Sequence, residues 1–262
     1  MALNSFHELA EMSAAGKPFV HRARRIVSLL FDVSAIQSEM HLDHPDHLTL
    51  AYTKAMMGFL LFNSKPALIA MIGLGGGSLA KYCYRHLPQA RIIAVDNDPQ
   101  VIALRDAFYI PGNDARLQVL CQDGVEMVAQ ANAEYDVLMV DGFDRQGQPP
   151  PLCSQAFYDA CFYSLAQDGI MAVNLLGDRQ DVELYVDRIH RSFDGAAIAI
   201  DVPDSNNKIV FACRGALLDC PDQQMIDHLR VLEMQHDTLD IALRLTARNL
   251  LWQRRNDKLT AI

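Results

Sequence analysis

Apolar positions along the chain follow two periods, and together they predict an α/β fold. Strand-length apolar runs occur at residues 67–72, 91–95, 117–121, 135–140 and 169–176. Most segments between them space their apolar positions three or four residues apart, which is typical of helices. The run at 135–140 (YDVLMV) is almost continuously apolar, as expected of a strand buried on both faces. Strands that alternate with helices predict a mostly parallel sheet covered by helices.

The N-terminal quarter of the chain has a different pattern. Segments 24–33, 35–40 and 47–52 are short and β-branched or alternating, which predicts two or three strands. Tyr52–Phe62 has helical periodicity, and Asn-Ser-Lys-Pro follows it as a chain break. We therefore predict a small N-terminal β-unit with a linking helix over residues 1–62. An α/β domain with C-terminal helices is predicted over residues 63–262.

The first strand of the large domain leads into a glycine-rich turn. Gly73, Gly75 and Gly77 fit the spacing G-x-G-x-G, and a helix and a second strand ending on Asp96 follow. Glycines let the backbone turn sharply and let a ligand lie against its N–H groups. A carboxylate at the end of the neighbouring strand can reach ribose hydroxyls. Because Ser78 stands where the dinucleotide fingerprint has glycine, the loop indicates a nucleoside such as S-adenosylmethionine or its decarboxylated relative.

The last two predicted strands indicate which α/β fold is present. Residues 196–202 and 208–213 are joined only by Pro-Asp-Ser-Asn-Asn, and so short a link implies an antiparallel hairpin. A mostly parallel sheet that ends in a hairpin is the layout of the Rossmann-like fold of S-adenosylmethionine-dependent methyltransferases. Residues 221–255 have amphipathic helical spacing and are expected to pack on the domain or on a partner chain.

Acidic residues follow three of the predicted strands at their carboxyl ends. Asp96, Asp123 and Asp141 end successive strands, and Asp144 lies just beyond the third. One such aspartate is commonplace as a helix cap or turn residue. Ligands of open α/β sheets bind at this edge, so three acids beside a glycine loop predict a binding site.

Composition narrows the class of partner. The formal net charge of −9 argues against nucleic acid and anionic membranes and is compatible with a cationic small substrate. Six cysteines without a C-x-x-C pair, and no apolar run of membrane-spanning length, favour a cytoplasmic protein with reduced thiols. His41, His44 and His47 match no standard metal-binding spacing, so we expect no metal.

With these residues in place, the chain resembles the spermidine synthase (polyamine aminopropyltransferase) family from about Ala35 to Cys213. The most specific segment, Tyr135–Ser164, is similar to the family signature YDVIIVD-x-x-D-P-x-G-P…FY. AVDNDPQVI resembles the second-strand acid motif, and CQDG the third-strand Asp-Gly. The resemblance implies that an amine attacks the aminopropyl carbon beside the sulfonium of decarboxylated S-adenosylmethionine, and that methylthioadenosine leaves. It also implies a homodimer.

The resemblance implies roles for the nucleoside half of the site. Asp96 would hold the ribose hydroxyls, and Asp123, with Gly124 beside it, would meet the adenine amino group. The glycine loop and Asp141 would complete the donor site. No metal is required, because a sulfonium is already an activated leaving group.

The resemblance also implies roles for the amine half. Asp141 and Asp144 would line the junction of donor and amine, with Asp144 as the catalytic acid residue and Tyr52 assisting it. Gln37, Tyr52, Asp144 and Asn174 would bind the amine substrate. A primary amine is protonated at neutral pH, so a nearby carboxylate that accepts its proton makes attack possible.

Departures from the family pattern fall in the amine half. Gly76 stands where the family has an aspartate that helps to hold the aminopropyl ammonium. Thr53-Lys54 replaces His-Glu, and Asn174 replaces a glutamine. Residues 203–207 replace a Tyr-Pro-Ser-Gly loop and lack its tyrosine. The nucleoside half is thus kept, and the amine half is rewritten.

Three alternatives stay open beside aminopropyl transfer. A methyltransferase on the same fold is favoured by Gly76, because the loss of an acid there removes a repulsive partner for the carboxylate of S-adenosylmethionine. A non-catalytic nucleoside- or polyamine-binding protein is the second, although Tyr52, Asp141 and Asp144 together argue against it. A dehydrogenase is the third, and both the glycine spacing and the terminal hairpin disfavour it.

Overall fold

The N-terminal unit is a three-stranded antiparallel sheet. The computed structural model describes residues 11–13, 16–32 and 35–260, so residues 1–10 of the predicted unit lie outside the described residues. Strands β1 (Phe19–Ala23), β2 (Ile26–Asp32) and β3 (Ala35–His41) pair in the order β1-β2-β3. The β2 and β3 strands were predicted, whereas β1 was not.

The predicted strand at 47–52 is wrong. A turn closed by the N–H of His44 on the carbonyl oxygen of His41 (3.1 Å) leads the chain away from the edge of β3. Helix α1 (Ala51–Met56) then begins, and a 3₁₀ turn over Met57–Leu61 continues it. The alternation of apolar and polar residues at 47–52 runs directly into the helix that begins at Ala51. The apolar side chains of that helix, such as Met56, are buried at helical spacing.

The large sheet has seven strands, in the order β6-β5-β4-β7-β8-β10-β9. All neighbouring pairs are parallel except those of β10, which runs antiparallel to β8 and to β9. This confirms the predicted mostly parallel Rossmann-like sheet with a terminal hairpin. The strands are β4 (Leu68–Ile72), β5 (Arg91–Asp96), β6 (Leu117–Cys121), β7 (Tyr135–Val140), β8 (Leu165–Leu175), β9 (Ala197–Asp201) and β10 (Lys208–Arg214).

Helices cover both faces of this sheet. They are α2 (Ser78–His86), α3 (Pro99–Ala103), α4 (Gly124–Gln130), α5 (Gln155–Ser164), α6 (Arg179–Ser192), α7 (Asp222–Gln235) and α8 (Asp240–Thr260). One core lies between the sheet and α4, α5 and α6. The other lies beneath α1, α2, α7 and α8 and continues into the N-terminal sheet through Val27, Leu29 and Met40. In the part of the chain that the structure describes, no helix is long and apolar enough to cross a membrane.

The strand order places a crevice at the carboxyl end of β4. The chain leaves β4 toward β5 on one side, while β7 pairs with β4 on the other side. Ligands of open α/β sheets bind at such a switch point. Strand β3 of the N-terminal sheet packs against α2 beside this crevice. The Ser38 and Ser78 hydroxyls lie 3.3 Å apart, and Lys81 Nζ of α2 contacts the Met40 sulfur. Lys81 Nζ also donates to the Phe108 carbonyl oxygen (2.7 Å). The domain boundary between residues 62 and 63 stays a prediction.

Candidate active site

A cavity of about 640 Å³ opens at this switch point. The N-terminal unit contributes one wall, and the carboxyl ends of the large sheet contribute the other. The predicted site residues that line it are Gln37, Tyr52, Gly73, Gly75, Asp96, Asp123, Gly124, Asp141, Asp144 and Asn174. The fold thus brings together residues that are up to 137 positions apart in the chain (174 − 37).

The glycine loop has little room for side chains. Gly73 has φ +92°, and a Cβ on it would lie 2.2 Å from the carbonyl oxygen of Asp141. Gly77 has φ +65°, precedes α2 and would drive a Cβ to within 2.5 Å of Ile110. Gly73 therefore lets β4 and β7 approach at the cavity floor. Gly77 allows the loop to pack on Ile110. It was predicted to contact the nucleoside, but it is not among the residues that line the cavity.

The Asp96 carboxylate holds the glycine loop in place. Its two oxygens accept hydrogen bonds from the N–H groups of Leu74 (2.9 Å) and Asp98 (3.0 Å). Burial raises the pKa of Asp96, and these backbone donors oppose the rise. Each carboxylate oxygen has a second lone pair, so the group can still accept hydrogen bonds from vicinal hydroxyls.

Asp123 and Gly124 form the next turn along the same edge. The Asp123 carboxylate caps α4 by accepting the N–H of Val125 (2.7 Å), and its side chain is exposed at the cavity wall. A Cβ on Gly124 would lie 2.4 Å from Ile72, so glycine is needed for this turn to pack on β4. The helix-cap role and the predicted adenine contact are compatible, because the cap uses one carboxylate oxygen.

Asp141 lines the cavity and contacts side chains from two other elements. Asn174 Nδ2, whose residue is 2% exposed, donates to Asp141 Oδ1 over 2.9 Å. The hydroxyl of Tyr52 also hydrogen-bonds to Asp141 and lies 3.4 Å from the carbonyl oxygen of Gln37. Burial raises the pKa of Asp141 to about 6, although both hydrogen bonds oppose the rise. A carboxylate with this pKa can accept a proton near neutral pH.

Tyr52 remains protonated beside this acid. Burial, and then the neighbouring negative charge of Asp141, raise the pKa of Tyr52 well above its usual value of 10. Its hydroxyl is therefore a stable hydrogen-bond donor, which can stabilise the ionised carboxylate.

Asp144 has a different environment. It is exposed at the rim of the cavity, and its Oδ1 accepts the N–H of Gln146 (2.7 Å). Two backbone hydrogen bonds between Asp144 and Gly147 (2.9 and 3.2 Å) close a tight turn around it. The structure thus separates a half-buried acid at the floor from an exposed acid at the rim.

Sequence comparisons agree with this geometry. Residues 49–186 match the spermine/spermidine synthase domain. A polyamine aminopropyltransferase of Neisseria meningitidis is 35% identical over 207 residues, which cover 78% of this chain and 77% of that protein. The chain belongs to the spermidine synthase family. The resemblance found in the sequence is confirmed, and the protein is a transferase.

Solved structures of known proteins share the fold. A probable spermidine synthase from Corynebacterium glutamicum superposes with a TM-score of 0.66 at 18% identity. The superposition covers 81% of this chain and 84% of the Corynebacterium chain. Human methyltransferase-like protein 13, solved with SAH, gives 0.61 at 21% identity, with 76% and 93% covered. The spermidine synthase fold is thus shared with methyltransferases.

The family aspartate that Gly76 replaces has no space in this loop. A Cβ on Gly76 would lie 2.6 Å from Ser38 Oγ and 2.8 Å from the ring of Phe108. The hydroxyls of Ser38 and Ser78 line the cavity at this corner instead. The departure at position 76 is therefore a remodelled corner that involves β3, and the sequence alone could not pair Ser38 with it.

Two further cavity residues were missed in the sequence. Arg145 follows Asp144, lines the rim and donates from Nη2 to the carbonyl oxygen of Ser13 (3.0 Å). Asn207 lines the cavity from the hairpin turn. Its position immediately before β10, which pairs with the end of β8 at Asn174, was the available signal.

Proposed function

We propose that this protein transfers an aminopropyl group from decarboxylated S-adenosylmethionine to a primary amine such as putrescine. The observation that carries the proposal is Asp141, a half-buried acid that lines the cavity, accepts a hydrogen bond from Asn174 and has a raised pKa. Membership of the spermidine synthase family and the name of the Neisseria relative support the same activity.

The nucleoside end of the donor fits the glycine-loop half of the cavity. Asp96 accepts hydrogen bonds from the ribose hydroxyls with its remaining lone pairs, and Asp123 accepts a hydrogen bond from the adenine amino group. Because the backbone N–H of Leu74 already binds Asp96, the loop is preorganised before the nucleoside arrives. In this orientation, the aminopropyl carbon bonded to the sulfonium faces Asp141 across the cavity floor.

The transfer step is a displacement at carbon. The amine nitrogen forms a bond to the aminopropyl carbon, and the carbon–sulfur bond breaks with its electron pair going to sulfur. Asp141 accepts the proton that the ammonium must lose, and Tyr52 and Asn174 stabilise its ionised form. We assign the proton to Asp141 rather than Asp144, whose exposed carboxylate is suited to hold the distal ammonium of a diamine.

The test is product formation from defined substrates. Purified protein is incubated with decarboxylated S-adenosylmethionine and, separately, diaminopropane, putrescine or cadaverine, with and without EDTA. Mass spectrometry should find methylthioadenosine and an aminopropylated amine in equal amounts, unchanged by EDTA. Turnover of none of these amines, with methylthioadenosine still bound tightly, would overturn the proposed activity.

The Gly76 corner favours methyl transfer as a second candidate. Neutral hydroxyls of Ser38 and Ser78 line the cavity there, and a side chain at position 76 would have to displace Ser38 or Phe108. Such a corner is less repulsive to the carboxylate of S-adenosylmethionine than an aspartate is. Calorimetric titration with both donors separates the two candidates, and preference for the carboxylated donor would move the assignment to methyl transfer.

We also propose a cytoplasmic homodimer. All six cysteines are free, as expected in a reducing compartment. The C-terminal helices expose Val231, Met234, Ile241 and Trp252, which could form a subunit contact. Sedimentation should give a dimer, and Met234→Glu with Trp252→Glu should give a monomer. A monomeric wild-type protein would exclude the dimer.

A further inference from the structure

A hydrogen-bonded chain of one hydroxyl and two amides connects the surface hairpin to the acid at the cavity floor. Asn207, in the turn before β10, donates from Nδ2 to Asn174 Oδ1 over 2.9 Å. Asn174 in turn donates from Nδ2 to Asp141 Oδ1 over 2.9 Å. On the outer side, the Ser205 hydroxyl donates to Asn207 Oδ1 and accepts the backbone N–H of Asn207 (3.2 Å).

The direction of each hydrogen bond in this chain determines the next one. The Ser205 hydroxyl proton satisfies Asn207 Oδ1, so the NH₂ group of Asn207 faces Asn174. That donor occupies the Asn174 oxygen and turns the NH₂ group of Asn174 toward Asp141. An amide whose NH₂ faces a carboxylate stabilises the ionised form, whereas an amide oxygen in the same place would favour the protonated form.

The backbone around Asn174 supports this orientation. Gln148 Nε2 donates to the Asn174 carbonyl oxygen (3.1 Å), and Asn174 itself is buried at the end of β8. The main chain of Asn174 is therefore fixed, and the remaining freedom is rotation of its amide group. Asn207 is the neighbour that removes this freedom.

We propose that Asn207 is a positioning residue, which orients the Asn174 amide so that it donates to Asp141 and keeps that acid in its proton-accepting form. Asn207 acts through Asn174 and does not itself take the proton. The inference rests on the proposed function only for the use that is made of Asp141.

Other ionisable groups that face Asp141 must be held constant in a test. Tyr52 of α1 contacts it directly. Asp96 at the end of β5, and Asp144 and Arg145 in the loop after β7, line the same cavity. Substitutions at Asn207 leave all four in place. The adjacent Asn206, which is exposed on the same turn, provides a matched control for added charge.

The experiment measures the Asp141 carboxyl pKa by ¹³C NMR in the full-length protein, with Asp141→Asn used to assign the signal. Asn207→Asp converts the donor to an acceptor, so Asn174 must turn its NH₂ outward. We expect the pKa of Asp141 to rise by about one unit. Asn207→Ala frees the amide and should give a smaller rise, whereas Asn206→Asp should leave the pKa within about 0.3 unit. In an Asn174→Ala background, Asn207→Asp should lose most of its effect.

The outcomes separate this inference from the proposed activity. An equal rise in the pKa of Asp141 in Asn207→Asp and in Asn206→Asp would show a charge effect and overturn the positioning role. The role would also be overturned if Asn207→Asp raised this pKa as much in the Asn174→Ala background as in the wild-type background. An unchanged pKa in both folded Asn207 variants would also overturn it. If the pKa responds as expected and the wild-type protein transfers no aminopropyl group, the positioning role stands and the proposed function fails. If transfer occurs, the acidic limb of kcat/KM should move with the pKa.

Discussion

The two halves of the cavity are built by different parts of the chain. The nucleoside half is fixed largely by backbone, since Gly73 N–H donates to Val95 (2.8 Å), Asp141 N–H donates to Ile72 (2.8 Å) and Leu74 N–H donates to Asp96. The proposed amine half is fixed by side chains, as in the chain from Asn207 on the hairpin turn through Asn174 in β8 to Asp141. Backbone geometry tolerates few substitutions, whereas side chains on turns can be exchanged. Most departures from the family pattern, at Thr53-Lys54, Asn174 and residues 203–207, lie outside the glycine loop, and Gly76 is the exception.

The largest expected effect separates the two acids of the amine half. Asp141→Asn should lower kcat about a thousand-fold, because general-base catalysis of this kind contributes roughly 10² to 10⁴ in rate. Asn keeps the shape, and its amide oxygen can still accept the hydrogen bond from Asn174, so methylthioadenosine affinity should change less than about threefold. Steady-state kinetics and calorimetry measure the two quantities.

Asp144→Asn is the matched control. An exposed carboxylate that holds a distal ammonium should affect KM more than kcat, by about tenfold or less. A thousand-fold loss of kcat in Asp144→Asn, with an active Asp141→Asn protein, would return the proton acceptor to the residue that the sequence suggested.

The nucleoside half is tested at Asp96. Asp96→Ala should weaken methylthioadenosine binding by about 10- to 100-fold, because hydrogen bonds to a charged group contribute about 1.5–3 kcal/mol. Asp123→Ala should have a smaller effect, since its carboxylate is exposed and serves partly as a helix cap. Calorimetric titration of both variants checks this order, and unchanged affinity in Asp96→Ala would remove Asp96 from the ribose site.

The steric limit at Gly76 predicts a loss of stability. Gly76→Ala places a methyl group against Ser38 and Phe108, and such overpacking costs about 1–3 kcal/mol in free energy of unfolding. Gly112→Ala is the control, because a Cβ there meets nothing within 4 Å. Chemical denaturation should place Gly76→Ala well below Gly112→Ala, and equal stabilities would mean that the loop has room for a side chain.

The smallest expected effect is the pH dependence of stability at Asp141. Its pKa is about 6 in the folded protein, above the ordinary value of 3.8, so the folded state binds more protons between these values. The free energy of unfolding therefore falls as pH rises through this window. Asp141→Asn should remove that fall and be more stable than wild type by about 1–2 kcal/mol at pH 7.5, with little difference below pH 4. Thermal melts across this range measure the difference, and parallel pH profiles would contradict the raised pKa.

Local patterns sufficed for most of the fold and for most of the predicted residues that line the cavity. Strands β6 and β7 have their predicted bounds, and the terminal hairpin is confirmed, because buried parallel strands and short links leave distinct patterns. The prediction of a strand at 47–52 was wrong because a turn at His44 directs the chain away from the neighbouring strands.

The different environments of Asp141 and Asp144 could not be predicted from sequence. Asp141 and Asp144 are three residues apart and chemically identical, and only burial distinguishes them. The contacts of Gly76 with Ser38, and of Asn207 with Asn174, join segments that are distant in the chain. Such pairs depend on tertiary packing, which a single sequence does not reveal.

The close approach of Gly73 to Asp141 has an evolutionary consequence. Since no side chain fits between these two backbones, a substitution at Gly73 would displace the strand end that carries Asp141. Descendants of such a protein can acquire new acceptors by substitutions in the surface turns at 143–149 and 203–207, without rebuilding the donor site. Diversity of acceptors around an unchanging donor is thus the expected pattern of divergence on this scaffold.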